Sequence, residues 1–237
     1  MKGLHIALST FYKYTRLLGL KRKPHKRKTK AVGLRATRPN QYLHVDTTHW
    51  ELECGIKAAI VFVSDNFSKA ILGWRVALSK HAAHVVMALR DAVTTIHQHH
   101  PSQTSSILVA DGGGENHAAC VEELLQSSTP PEILKVIALK DIQFSNSPIE
   151  AINKIYKQYL RHYQPRTHAA LQAVTALFVH DYGSARPHGS LKGLIPMEAY
   201  TKPDQVLDYR HTVQEARTHR IAENKAVNCP LCSGTTR

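Results

Sequence analysis

The order of elements readable in the chain predicts an α/β fold that opens with a β-meander: three strands, a helix, a strand, a helix, a strand, then helices. Three observations carry this. Short β-branched apolar runs bounded by turn residues fill the stretch after residue 41, and longer segments with apolar residues at helical spacing follow. The composition changes at Gln41, where a basic arm gives way to strand-like sequence. Of 237 residues, 43% are apolar, enough to build a core in one or two domains.

In order, Ser9 reads as the cap of a short helix with Phe11, Tyr14, Leu17 and Leu18 at helical spacing and Gly19 as its stop. The run KRKPHKRKTK at 21–30 places Lys21, Arg22, Lys23, Lys26, Arg27, Lys28 and Lys30 in ten residues. Such a run reads as an arm or linker suited to phosphate contact, extended by Arg35 and Arg38. Segments 42–51, 56–66 and 69–79 read as strands, with turns at Cys54-Gly55 and Asp65-Asn66; the second, nearly all apolar, reads as central. A helix at 81–97 carries Ala82, Val85, Val86, Leu89, Val93 and Ile96 on one side. A strand at 106–111 ends in the turn GGG, a helix spans 116–126, and a fifth strand spans 133–139. After a polar loop at 141–147 come helices at 148–163 and 167–182, the turn-rich SARPHGSLKGLIPMEAY, and a polar, basic tail from Pro203. The regions expected are an arm at 1–38, a core at 39–200 and a tail at 201–237.

The net charge of +13 points to a polyanionic partner, with nucleic acid first. No stretch approaches the roughly 20 apolar residues of a membrane span, and MKGLHIALSTFYK lacks the features of a signal peptide. A cytoplasmic protein is expected, with no membrane partner. The four cysteines make no disulfide framework in a chain this long. Cys229 and Cys232 form a CxxC for which His211 and His219 are the available zinc co-ligands; an unligated tail is the stronger reading. The histidines at 97–100 read as a helix end in solvent, Asp65 as a local turn residue, and Trp50 and Trp74 as packing residues.

Three carboxylates stand out. Asp46 lies inside a strand, where Asp is disfavoured, and a buried carboxylate requires a partner. Asp111 ends a strand before glycine, a favoured ligand position in α/β sheets. Glu150 opens a helix whose Lys154, Lys157 and Arg161 share its face. Each has a plainer reading: a hydrogen bond to Thr47 or Thr48 for Asp46, an Asp-Gly turn for Asp111, and a capping box from Ser147 for Glu150. Together, two strand carboxylates and one helix carboxylate could hold two divalent cations. Such a pair, roughly 3.5–4 Å apart, clamps the attacking and leaving oxygens of a phosphodiester.

The segments HVDTTHW, VSDNFSKAILGW, VADGGGEN, SNSPIEAINKIYK and RPHGSLKGLIPMEAY, in that order over residues 40–200, resemble the integrase-type (DDE) transposases of bacterial insertion sequences, within the retroviral integrase superfamily. The resemblance implies an RNase H-like fold with a five-stranded mixed sheet flanked by helices. It implies that Asp46, Asp111 and Glu150 form a catalytic triad binding two Mg²⁺, with Mn²⁺ as substitute, and that Lys157 contacts transposon-end DNA. The implied activity is cleavage at transposon ends followed by strand transfer into target DNA, by a homo-oligomer assembled on DNA in the bacterial cytoplasm or nucleoid. Such chemistry needs no external energy source, in keeping with the lack of a GxxxxGK[ST] motif. The interval from Asp111 to Glu150 is a few residues longer than is usual in the family. Only STFYKYTRLLGLKRK resembles the helix-turn-helix region that such transposases carry before the core. Two rival readings follow: an inactive, truncated DNA-binding remnant, and an RNase H-type nuclease.

Overall fold

A computed structural model describes residues 7–20, 33–114, 118–126, 131–142, 146–206, 215 and 218–223. The chain divides into two compact units, 1–32 and 33–237. In the first, helix α1 (Leu8–Leu17) starts two residues before the expected turn. Ser9 is therefore not its cap. The Phe11 N–H already bonds the Ala7 carbonyl at 3.0 Å, closing the first turn upstream. Gly19 stops the helix as expected. At φ +66° it lets its own N–H reach Arg16 O (3.1 Å) and the Leu20 N–H reach Thr15 O (3.0 Å), which satisfies two terminal carbonyls.

The second unit is built on β1 (Tyr42–Glu51), β2 (Lys57–Asp65), β3 (Ile71–Ala77), β4 (Ser105–Ala110) and β5 (Glu132–Ile137). Its helices are α2 (Ala82–His99), α3 (Ala119–Leu125), α4 (Ser147–Tyr163), α5 (His168–His180) and α6 (Pro196–Thr201). The strands form one mixed sheet in the order β3-β2-β1-β4-β5. The meander strands pair antiparallel, and β4 and β5 add in parallel. The middle place belongs to β1, not to β2 as its apolar run suggested, because β1 takes β4 on its free edge. β2 is nonetheless paired on both sides and buried over eight of its nine residues.

Alternation along the strands sorts the core into two layers. Leu43, Val45, Val61 and Val63 pack with Leu89 and Ile96 of α2 and Val121 of α3. Ala58, Ile60 and Phe62 pack with Ile152, Tyr156 and Leu160 of α4 and Leu171 and Phe178 of α5. Helices thus cover both faces of the sheet. At one point α2 nearly touches the sheet backbone: a Cβ on Gly73 would stand 2.0 Å from Ala88 O. α5 is capped by Thr167, whose hydroxyl accepts from Ala170 N at 3.2 Å. It ends earlier than expected, at His180, because the chain widens into a π-helical turn at 181–185, closed by the Arg186 N–H on Asp181 O at 2.8 Å.

Candidate active site

The pleat of β1 points Leu43 and Val45 toward α2, so His44 and Asp46 fall on the α4 face. Asp46 stands opposite Phe62 of β2, itself packed under α4. On the other side, the parallel register pairs Val45 with Ala110. The next residue of each chain is an aspartate, so Asp46 and Asp111 emerge side by side. Asp111 also closes a local turn, accepting the Gly113 N–H at 3.2 Å.

Glu150 arrives on α4, but not through a capping box. The helix begins at Ser147 with Asn146 as N-cap, one residue earlier than the box requires, and no side chain caps it. The Asn146 side chain is committed elsewhere. Its Oδ1 accepts from His44 Nδ1 at 2.6 Å, and its Nδ2 donates to Val45 O at 2.9 Å. Two turns on, Asn153 Nδ2 donates to Asp46 Oδ2 at 2.7 Å, while the Thr47 N–H holds Asp46 Oδ1 at 2.9 Å. Two asparagines therefore dock the head of α4 onto the strand that carries the first aspartate. Pattern reading missed both. The usable signals were a polar His44 between Leu43 and Val45, and Asn153 three residues after Glu150 on the same helical face.

His44 is fully buried. Its Nδ1–H donates to Asn146, and Nε2 accepts from Asn66 Nδ2 at 2.8 Å, which selects the neutral Nδ1–H tautomer. Burial, opposed by the Asn146 bond and aided by Lys69, pushes its pKa down to about 4. Asn66 in turn accepts the Ala36 N–H at 2.8 Å and donates to Leu34 O at 3.3 Å.

Asp46 is pushed the other way, up to about 6. Burial is the largest cause and the Asp111 charge the next; the Thr47 and Asn153 bonds oppose them, and Glu150 adds a further push. The three carboxylates are thus close enough to repel. Asp46, Glu150 and Asn153 line a cleft of about 410 Å³ together with Lys154, Lys157 and Arg161, whose side chains are exposed. Among the described residues Glu150 makes no ion pair with Lys154, so that lysine is not spent on its neighbour.

The donor chemistry suits a hard cation. Carboxylate oxygens are what Mg²⁺ prefers, and Asn153 Oδ1, buried and without a hydrogen-bond partner, adds a neutral oxygen beside Asp46. Among the described residues, however, no three His, Cys, Asp or Glu side chains are drawn close enough together to grip a metal.

Other expected residues fare differently. Lys21, Arg22, Lys23, Lys26, Arg27, Lys28 and Lys30 lie outside the described residues, as do His211, Cys229 and Cys232. His219 faces Glu223 at 3.5 Å. The histidines ending α2 are not all in solvent: His100 Nε2 meets Tyr200 O at 2.8 Å, and its ring packs edge-on to Tyr200 because α6 folds back over the helix end. Asp65 is structural rather than part of the cleft: it accepts locally from Ser68 N and Ser68 Oγ and ties the turn to Asn40 through the Asn40 N–H. Trp50 packs beside the second core layer and donates to Pro165 O at 3.0 Å.

No protein-family model and no curated protein matches the sequence. Solved structures do match the fold. The BIV integrase catalytic core domain covers 70% of this chain and 96% of its own length, at 19% identity and a TM-score of 0.52. The HTLV-2 integrase catalytic core domain in complex with magnesium covers 71% and 99%, at 16% identity and a TM-score of 0.53. A chain of the simian T-cell lymphotropic virus intasome, in complex with the PP2A regulatory subunit B56 gamma, covers 73% of this chain at 14% identity and a TM-score of 0.59; this chain spans 58% of its length. The chain has the fold of integrase catalytic cores, an RNase H-like mixed five-stranded sheet flanked by helices.

Proposed function

We propose that the chain is a DDE-type polynucleotidyl transferase, an integrase-type transposase that cleaves DNA at transposon ends and transfers the strand to target DNA. The observation that carries this reading is Asp46: its carboxyl is held up at about 6 by burial and by the charges of Asp111 and Glu150, in a cleft walled by Lys154, Lys157 and Arg161. Repelling carboxylates beside a basic helix face suit a cation and a phosphodiester together. Asp46, Asp111 and Glu150 would hold Mg²⁺, with Asn153 Oδ1 adjacent. When bound, Mg²⁺ supplies activation of the attacking oxygen and charge stabilisation of the leaving one. The chain's own contribution is positional. Thr47 and Asn153 fix the two oxygens of Asp46, Asn146 fixes the helix that presents Glu150, and Lys154, Lys157 and Arg161 bind and orient the phosphate backbone. The active form is proposed to be a homo-oligomer on paired DNA ends. One alternative is an inactive DNA-binding form, which draws on the finding that, among the described residues, no three His, Cys, Asp or Glu side chains are grouped to hold a metal.

Nicking of supercoiled plasmid in Mn²⁺ decides between them. Asp46→Asn and Glu150→Gln should each abolish nicking while circular dichroism and DNA affinity stay unchanged, and calorimetry should show Mn²⁺ binding to wild type that Glu150→Gln loses. Nicking retained by either variant sinks the assignment. No nicking and no Mn²⁺ binding by wild type establishes the inactive form.

A further inference from the structure

The RPHGS segment takes no part in the cleft, yet its charges gather at a second place. The Asn66 side chain clamps Leu34 and Ala36, which fixes Arg35 between them over the turn at 65–69. In that turn Lys69 adopts a left-handed backbone, φ +64°, and its Nζ bonds Asn66 O. Lys69 lies within electrostatic reach of Arg35, His188 and His44, and Arg186 within reach of His188. The imidazole of His188 accepts the Ser190 N–H on Nδ1 at 3.3 Å, so the neutral ring carries its proton on Nε2 as a donor. Among the described residues no ion pair takes up Arg35, Lys69 or Arg186. The carboxylate facing Lys69, Asp65, is buried and already accepts three hydrogen bonds.

We propose that Arg35, Lys69, Arg186 and His188 form a second phosphate-binding site, at the head of α4, for the backbone of the nucleic-acid strand that crosses the cleft. This rests on the nucleic-acid reading of the cleft. His44 ties the two places together, touching Asn146 at the helix head and lying near Lys69. From Asn146 to Arg161 the helix rises about 22 Å, roughly six phosphate spacings of one strand. The carboxylates therefore lie between two sets of cations: Lys154, Lys157 and Arg161 along the helix, and the new cluster beyond its N-terminus. A strand gripped only along α4 would present its reacting phosphate at the end of its track. A grip on both flanks holds that phosphate in place. Burial is the main cause that lowers the Lys69 pKa, with Asp65 opposing it and Arg35 adding a smaller push; burial also leads for His188, followed by the charges of Lys69 and Arg186. A bound phosphate would favour the charged form of both groups.

The test is the salt dependence of binding to a labelled duplex, read by fluorescence anisotropy. Arg35 and Arg186 are exposed, so Arg35→Gln/Arg186→Gln leaves the fold intact. Each lost phosphate contact flattens the slope of log affinity against log salt by about 0.9. The double variant should lose about two such contacts, as should Lys154→Gln/Lys157→Gln, while Arg90→Gln on α2, behind the sheet, should keep the wild-type slope. A wild-type slope in the Arg35/Arg186 variant, beside a flattened one in the Lys154/Lys157 variant, overturns the second site and leaves the cleft reading standing. An equal loss from Arg90→Gln also overturns it. Wild-type slopes in both double variants overturn the cleft reading itself.

Discussion

Asp46 and His44 stand two residues apart on one face of β1 and answer pH in opposite senses. His44 has a folded pKa of about 4, below its ordinary 6.5, so the unfolded chain takes up the proton first. The stability its neutral form contributes is complete above 6.5 and is lost as pH falls toward 4, by about 3 kcal/mol in all. Asp46 is raised from 3.8 to about 6, so the folded chain keeps a proton that the unfolded chain releases. Its contribution is complete below 3.8 and fades as pH rises to 6, and being partly solvated it is the smaller of the two. The two slopes oppose each other between pH 4 and 6. Urea denaturation across this range should show His44→Gln less acid-sensitive than wild type. Asp46→Asn should rise more steeply in stability with pH than wild type. Profiles parallel to wild type in both variants would show that neither site titrates as described. At this scale the sequence was informative about acids and poor about their supports. Asp46 stands out because a strand rarely tolerates it. Asn146 looks like an ordinary loop polar residue and Asn153 like an ordinary helix one until the helix is laid against β1.

Among elements, the contact of α2 with β3 is the least forgiving. With Ala88 O and Ala92 N at 2.0 and 2.8 Å from the position a Cβ would take, Gly73→Ala must push helix and strand apart. The expected cost is about 3 kcal/mol, at the upper end for overpacking. It should be read as a lower urea midpoint with an unchanged slope; an unchanged midpoint would mean that the helix yields freely. Elements themselves were largely legible, since β1 spans the residues predicted for it and α2 and α4 differ by one or two at their ends. The errors fall where a neighbour decides: α1 starts before Ser9 because Ala7 closes its turn, and α4 starts at Ser147 because Asn146 is drawn to His44.

For the whole molecule, a charge of +13 sets the expectation for DNA. If only Lys154, Lys157 and Arg161 contact phosphates, affinity should drop about forty-fold between 50 and 200 mM salt, and further contacts steepen the fall. Anisotropy titrations over that range check it, and binding indifferent to salt would remove phosphate contact as the source of affinity. Among the described residues no helix is long and apolar enough to cross a membrane. The topology was the least legible feature at this scale. Nothing local in β1 announces that β4, with β2, β3 and α2 in between, will become its parallel neighbour, and a continuous apolar run made β2 look more central than it is.

That parallel pairing also bears on how the chain is made. The meander of β1, β2 and β3 can close through short turns as soon as Ala77 has been synthesised, but β1 then keeps an open edge until Ala110 follows. Non-local parallel pairing is slow, and an open strand edge next to apolar sequence invites pairing with another chain. On a polysome, neighbouring nascent chains pass through this interval together. The docking of β4 both seals that edge and first brings Asp111 beside Asp46, so a chain gains its paired aspartates and its protection from aggregation in a single event.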